Sequence, residues 1–251
     1  MKITVKVIVI ILICCILPFT AWAKDRRVVI LIDTSGSMSS SDKPRYAVQL
    51  SKIISELVEA GDELSVVRLP ENDSCSAGPN SSLALPFNSA DLSGFKEQLD
   101  EMIDYDGGNA FASPIRTAMQ LLSLDRNKQR MLLIIADSGG LDCEESWHDL
   151  EKLHNSGAIV AAINIGSSTG AFEQSSAFDF ITASLNAEQL VKAVAEVYQK
   201  FLGAKQVQTG SVQNGIEFEI APFVSDAWLV VAADGPISGL ESARQPRCKI
   251  N

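Results

Sequence analysis

The stretch Val28-Val29-Ile30-Leu31-Ile32-Asp33-Thr34-Ser35-Gly36-Ser37 sets an unbroken apolar run against an abrupt polar stop. Such a run reads as a strand covered on both faces, as in a parallel sheet. Beyond it, Asp33, Ser35 and Ser37 offer one carboxylate and two hydroxyls at alternate positions, which can turn toward one point above the sheet. These are hard oxygen donors of the kind that Mg²⁺ prefers, so a metal site is the leading reading of this corner.

Working outward, strand-like runs recur at 64–69, 82–86, 131–137 and 158–165, with helical spacing between them. Leu50, Ile53, Ile54, Leu57 and Val58 share one helical face before Gly61; Leu92, Phe95, Leu99 and Met102 share another. Ser113-Pro114 reads as an N-cap followed by proline at the first helical position, with Ile115, Ala118, Met119 and Leu122 facing inward. Trp147, Leu150 and Leu153 mark a short helix closed by Gly157. Asn186 and Gln189 open a last one running through Val194 and Phe201 to Gly203. Alternating strands and helices predict an α/β fold: a doubly wound, mostly parallel sheet flanked by helices. Ligands of such sheets bind beyond the carboxyl ends of the strands, where the strand order reverses. Asp33 and Asp137 both end predicted strands, and both are expected at that edge.

Lys2 and Lys6, an apolar run from Val7 to Phe19 and Ala21-Trp22-Ala23 give residues 1–23 the layout of a cleavable secretory signal. The apolar run falls short of the roughly 20 residues a spanning helix needs, and no later stretch is apolar enough to cross a membrane. The mature chain is therefore expected to work outside the cytoplasm, in the periplasm or secreted, without a membrane span. Without Lys2 and Lys6, 19 basic residues face 31 acidic ones, a net charge of −12. That balance argues against a nucleic-acid partner. Residues 24–204 suffice for one core. From 205 onward the pattern becomes β-rich, and the 47 residues left are fewer than the roughly 100 of an ordinary β-sandwich. An incomplete or accessory unit is expected at 205–251.

The D-x-S-x-S pattern of Asp33, Ser35 and Ser37 resembles the metal-ion-dependent adhesion site of the von Willebrand factor type A (VWA) domain, in its bacterial secreted or periplasmic form. The resemblance implies a Rossmann-like sheet with three loops holding a divalent cation, Mg²⁺ or else Mn²⁺ or Ca²⁺. Ser35 and Ser37 match its hydroxyl ligands, Asp33 its water-mediated carboxylate, and Asp137 its third loop, where Ser138 stands in place of the common glycine. The second loop, Tyr105-Asp106-Gly107-Gly108-Asn109, departs from the pattern by carrying Asn109 where the family has threonine. A carboxamide oxygen is still a hard ligand, longer than a hydroxyl by one atom, so geometry or selectivity is expected to change. Thr117 lies a helical turn too far along to substitute. The implied function is binding without turnover: the cation keeps an open position for a carboxylate of a partner protein. The β-rich tail is similar to the opening of a segment that often follows the A domain in bacterial proteins.

Cys75 and Cys143 follow strands expected to flank the first one, so their loops can meet over the site. In an oxidising compartment a disulfide is expected there, as some bacterial A domains similarly carry a cysteine in each loop; two free thiols are the alternative. Cys248 is left over. His148 and His154, six residues apart, fall on different helical faces and read as solvated surface, not as a zinc pair. The segment 166–170 fits G-x-S-x-G, but no histidine follows position 154 to complete a hydrolase triad. A rival reading takes Asp33-Thr34-Ser35-Gly36 and Asp137-Ser138-Gly139 as the paired motifs of a secreted aspartic peptidase, with Asp33 and Asp137 sharing a proton. Ser35, inserted between Thr34 and Gly36, and the helices of the chain oppose it. A metal requirement separates the two.

Overall fold

The computed structural model describes residues 25–201 apart from 60, 72–73, 88–90, 126, 138–142, 167–171 and 185. Residues 1–23, where a leader was expected, the segment 205–251 with Cys248, Ser138 and most of the 166–170 turn lie outside the described residues. Among the described residues six strands form one sheet: β1 Arg26–Ile32, β2 Glu63–Arg68, β3 Ala84–Pro86, β4 Gln129–Ala136, β5 Ile159–Ile165 and β6 Phe180–Ser184. Their order is β3-β2-β1-β4-β5-β6, and all neighbours are parallel except β3, which runs antiparallel to β2 at the edge. The helices are α1 Met38–Ser41, α2 Tyr46–Glu56, α3 Leu92–Met102, α4 Ala112–Ser123, α5 Glu144–Asn155 and α6 Ala187–Glu196. This is the doubly wound α/β architecture expected from the alternation of strands and helices.

The apolar run of β1 shows why both faces need cover. Val28, Ile30 and Ile32 point into a core shared with α2, α3 and α6, whereas Val29 and Leu31 point into a second core with α4 and α5. β4 divides its residues the same way: Met131, Leu133 and Ile135 go to the first core, Leu132, Ile134 and Ala136 to the second. A period of two in a wholly apolar strand thus becomes two separate cores.

Several boundaries differ from the sequence reading. β1 starts at Arg26, two residues before the apolar run, because buried Arg26 and Arg27 pair with Asp62 and Glu63 beside the start of β2. Ser113 is not the N-cap of α4. The helix opens after Phe111, leaving Pro114 in the first turn, where a missing N–H costs nothing. Phe111 is buried, and its packing decides the start. Two elements were not expected, α1 and β6. The latter is a short edge strand held by β5, beside Asp179, whose carboxylate accepts the Val160 N–H at 2.8 Å. The Asn186 side chain caps α6 by accepting from the Gln189 N–H at 3.0 Å, and Gly157, at φ 83°, supplies the left-handed turn after α5.

Candidate metal centre

β1 and β4 lie side by side in register, Ile32 opposite Ile135, and the Asp33 N–H donates to the Ile135 carbonyl at 2.8 Å. The chain leaves β1 toward β2 and β3 on one side and returns through β4 on the other. The carboxyl ends of β1 and β4 therefore flank the reversal in strand order, the place where such sheets bind ligands. Asp33 ends the one strand and Asp137 the other.

Hydroxyls tie the two carboxylates into one constellation. The Asp33 Oδ1 accepts from the Ser35 N–H at 2.8 Å, and the Ser35 and Ser37 hydroxyls lie 3.0 Å apart. Ser37 donates to Asp137 Oδ1 at 3.1 Å, and Ser41, one helical turn on, donates to Asp137 Oδ2 at 2.7 Å. Asp33 is 2% exposed. Burial pushes its carboxyl up to about 6; the Ser35 hydroxyl and N–H pull it back in part, and the charge of Asp137 adds to the rise. Among the described residues, no lysine or arginine bonds to either carboxylate. An all-oxygen donor set, with Asp33 and Ser35 buried, Asp137 half-buried, Ser37 at the surface and no counter-cation bonded to either carboxylate, fits a hard divalent ion.

The second loop is pinned by its glycines. The Gly107 N–H donates to the Thr34 carbonyl at 2.7 Å, the Gly108 N–H to the Pro70 carbonyl at 2.8 Å, and the Thr34 hydroxyl to the Leu69 carbonyl at 3.1 Å. A methyl group on Gly107 would lie 2.6 Å from the Thr34 hydroxyl; one on Gly108 would lie 2.8 Å from the Glu71 carbonyl oxygen. Both glycines are thus required by close backbone approach. Gly108→Ala is expected to displace the loop and to cost roughly 1–3 kcal/mol, the range for forced overpacking. Urea unfolding beside Gly36→Ala, where an added methyl meets nothing within 4 Å, checks this.

Asn109 is exposed, two residues after the Gly107 that bridges to Ser35. Among the described residues no hydrogen bond joins its side chain to Asp33, Ser35, Ser37 or Asp137, so four of the five expected ligands form one bonded group and Asn109 stands beside it. Thr117 is engaged elsewhere, accepting the Asn80 N–H at 2.9 Å. The Asp33 carboxylate accepts from the Ser35 N–H, whereas the Asp137 carboxylate accepts from the hydroxyls of Ser37 and Ser41.

Other residues around the site had no signal in the sequence reading. Asp42, wholly buried, accepts from the N–H groups of Tyr46 and Ala47 and from the Tyr105 hydroxyl at 2.6 Å, joining the first loop to the second. Burial raises its carboxyl against those hydrogen bonds, and burial raises the Tyr105 hydroxyl too. Arg45, in the left-handed region at φ 59°, donates to the Ile103 carbonyl at 2.6 Å just past α3. The spacing of Ser37 and Ser41 by four would have revealed Ser41, had 38–41 been read as a helical turn.

Cys75 and Cys143 form a disulfide with their Cα atoms 5.5 Å apart. Arg116 of α4 lies between the two loops, donating to the carbonyls of Cys75 and Ala77 and to the Asp149 carboxylate at 2.9 Å. His148 is exposed, and His154 Nδ1 lies 3.5 Å from Asp179 Oδ2.

A family model described as the von Willebrand factor type A domain matches residues 28–140, a span that runs from β1 past Asp137. No curated protein matches the sequence. Among solved structures, a von Willebrand factor type A protein from Catenulispora acidiphila is 15% identical, with a TM-score of 0.52 over 68% of this chain and 41% of that one. The pilus adhesin SpaC of Lactobacillus rhamnosus GG, in its open conformation, is 10% identical, with a TM-score of 0.51 over 70% of this chain and 30% of that one. At such identities the likeness is one of fold, and this chain spans less than half the length of either. The family match over residues 28–140, the strand order and the loops at the β1–β4 crevice agree on a von Willebrand factor type A domain in this part of the chain.

Proposed function

We propose that residues 24–204 form a non-catalytic, metal-dependent protein-binding module, used in adhesion or assembly outside the cytoplasm. In this reading residues 1–23 are a cleaved leader and 205–251 an accessory β-rich segment. Asp33, Ser35, Ser37, Asn109 and Asp137 hold a divalent cation, Mg²⁺ in the first instance, with Mn²⁺ and Ca²⁺ as alternatives. The observation that carries the proposal is the Asp33 carboxylate, buried at a strand end beside Asp137 with hydroxyls around it and no basic side chain bonded to either. The cation supplies a Lewis-acidic position that accepts a carboxylate from a partner protein. The side chains of this chain hold the oxygen donors together and keep the carboxylates engaged by hydroxyls. An oxidising location is supported by the Cys75–Cys143 disulfide and by the layout of residues 1–23.

Calorimetric titration of Mg²⁺, Mn²⁺ and Ca²⁺ into the chelator-treated protein tests the metal. Saturable binding at one site is expected, followed by chelator-sensitive retention of a partner from an envelope fraction. Folded protein that binds none of the three cations would remove the proposal.

A further inference from the structure

Ser41 stands outside the D-x-S-x-S pattern, yet it makes the shortest hydrogen bond to Asp137. Its hydroxyl lies 2.7 Å from Asp137 Oδ2 and 3.1 Å from the Ser37 carbonyl. One hydroxyl has one proton, and the shorter contact to the charged acceptor takes it. Ser37 meanwhile donates to the other oxygen, Oδ1, at 3.1 Å. Serines four apart in one helical turn therefore grip both oxygens of a single carboxylate, which sets its rotation about the Cβ–Cγ bond. Of the two oxygens, Oδ1 is the one on the side of Ser37 and Ser35, and Oδ2 is drawn toward α1.

Resting on the metal reading above, we infer that Ser41 is a positioning residue that sets cation selectivity by preventing Asp137 from offering both oxygens to one ion. Ca²⁺ takes six to eight oxygens and commonly uses carboxylates bidentately, whereas Mg²⁺ keeps a tight octahedron in which a carboxylate serves through one oxygen or through a water. A tether on Oδ2 leaves the Mg²⁺ mode intact and withholds the Ca²⁺ mode. The outcome is discrimination against Ca²⁺ by a residue that never touches the ion, which matters in an extracytoplasmic setting where Ca²⁺ competes.

The test is calorimetric titration of Mg²⁺ and, separately, Ca²⁺ into the full purified protein, Ser41→Ala and Ser41→Thr, with folding of each checked by circular dichroism. Ser41→Ala is expected to gain about tenfold in Ca²⁺ affinity with Mg²⁺ affinity changed less than about threefold, the scale of one charge-assisted hydrogen bond. Ser41→Thr, which keeps the hydroxyl, is expected to keep the wild-type ratio. An unchanged Mg²⁺ to Ca²⁺ ratio in Ser41→Ala, or an equal loss for both ions as a merely structural role would produce, overturns the inference while leaving the metal site standing. Wild-type protein that is folded and binds neither ion overturns both.

Discussion

Asp33→Asn is expected to make the metal-free protein more stable while lowering its affinity for divalent cations by at least about a hundredfold. The carboxyl is buried and pushed up to about 6, so the folded chain holds its proton more tightly than the unfolded chain, whose carboxyl titrates near 3.8. As pH rises from about 4 to about 6 the folded state must give up that proton against burial, and stability falls across that window. Above pH 6 the cost is present in full. At 1.36 kcal/mol per unit the difference corresponds to about 3 kcal/mol at pH 7, which is roughly 9 °C in Tm for a domain of this size. A neutral carboxamide relieves that cost and can still accept the Ser35 N–H through its oxygen. The same substitution removes one of the two negative charges at the site, so Mg²⁺ is expected to raise the Tm of the wild type and leave the variant unmoved. Thermal scans at pH 5 and pH 7.5, with Mg²⁺ and with chelator, supply the four comparisons. A variant less stable than the wild type in chelator at pH 7.5 would show that the Asp33 charge is compensated in the fold after all. For the wild type, metal affinity is expected to fall as pH drops through 6, as protons compete for the Asp33 carboxylate.

Loss of the Cys75–Cys143 disulfide is expected to cost the domain more than any single hydrogen bond at the site. The two cysteines are separated by 68 positions, a loop containing β3, α3, α4 and β4. Closing a loop of that length in the unfolded chain corresponds to about 4 kcal/mol in the chain-entropy account. The native geometry around the bridge is supported independently by Arg116 and by the Thr117–Asn80 pair, so the folded state is expected to survive in the double variant Cys75→Ala/Cys143→Ala. A drop in Tm of roughly 10 °C is the expected reading, matched by a similar drop in the wild type under reductant. Metal affinity is expected to change much less, because Asp137 is held by the end of β4 and by two serine hydroxyls rather than by the bridge. An unfolding midpoint indifferent to reductant would mean that the bridge adds nothing to stability.

The first loop was legible because its chemistry is local. An apolar run that halts at Asp33 reads as a buried strand reaching the edge of its sheet, and the alternation of Asp33, Ser35 and Ser37 follows from backbone geometry. Two helix ends were legible for the same reason, since Asn186 and Gly157 act on groups within a few residues of themselves; the start of α4 was not, because it begins after Phe111 and not at Ser113. The grip on Asp137 was not, since Ser41 lies 96 positions away and the four-residue helix that carries it has no apolar periodicity to announce it.

Composition and periodicity were thus enough for the class of fold and the direction of its sheet, because each follows from short-range sterics and from which residues must leave water. Strand order, the buried Arg26 and Arg27, the Asp42–Tyr105 link between loops and the placing of Ser41 were decided only by the folded chain. Each depends on which distant segments come to lie together, and burial gives a carboxylate or a guanidinium its partner only once the sheet has closed over it.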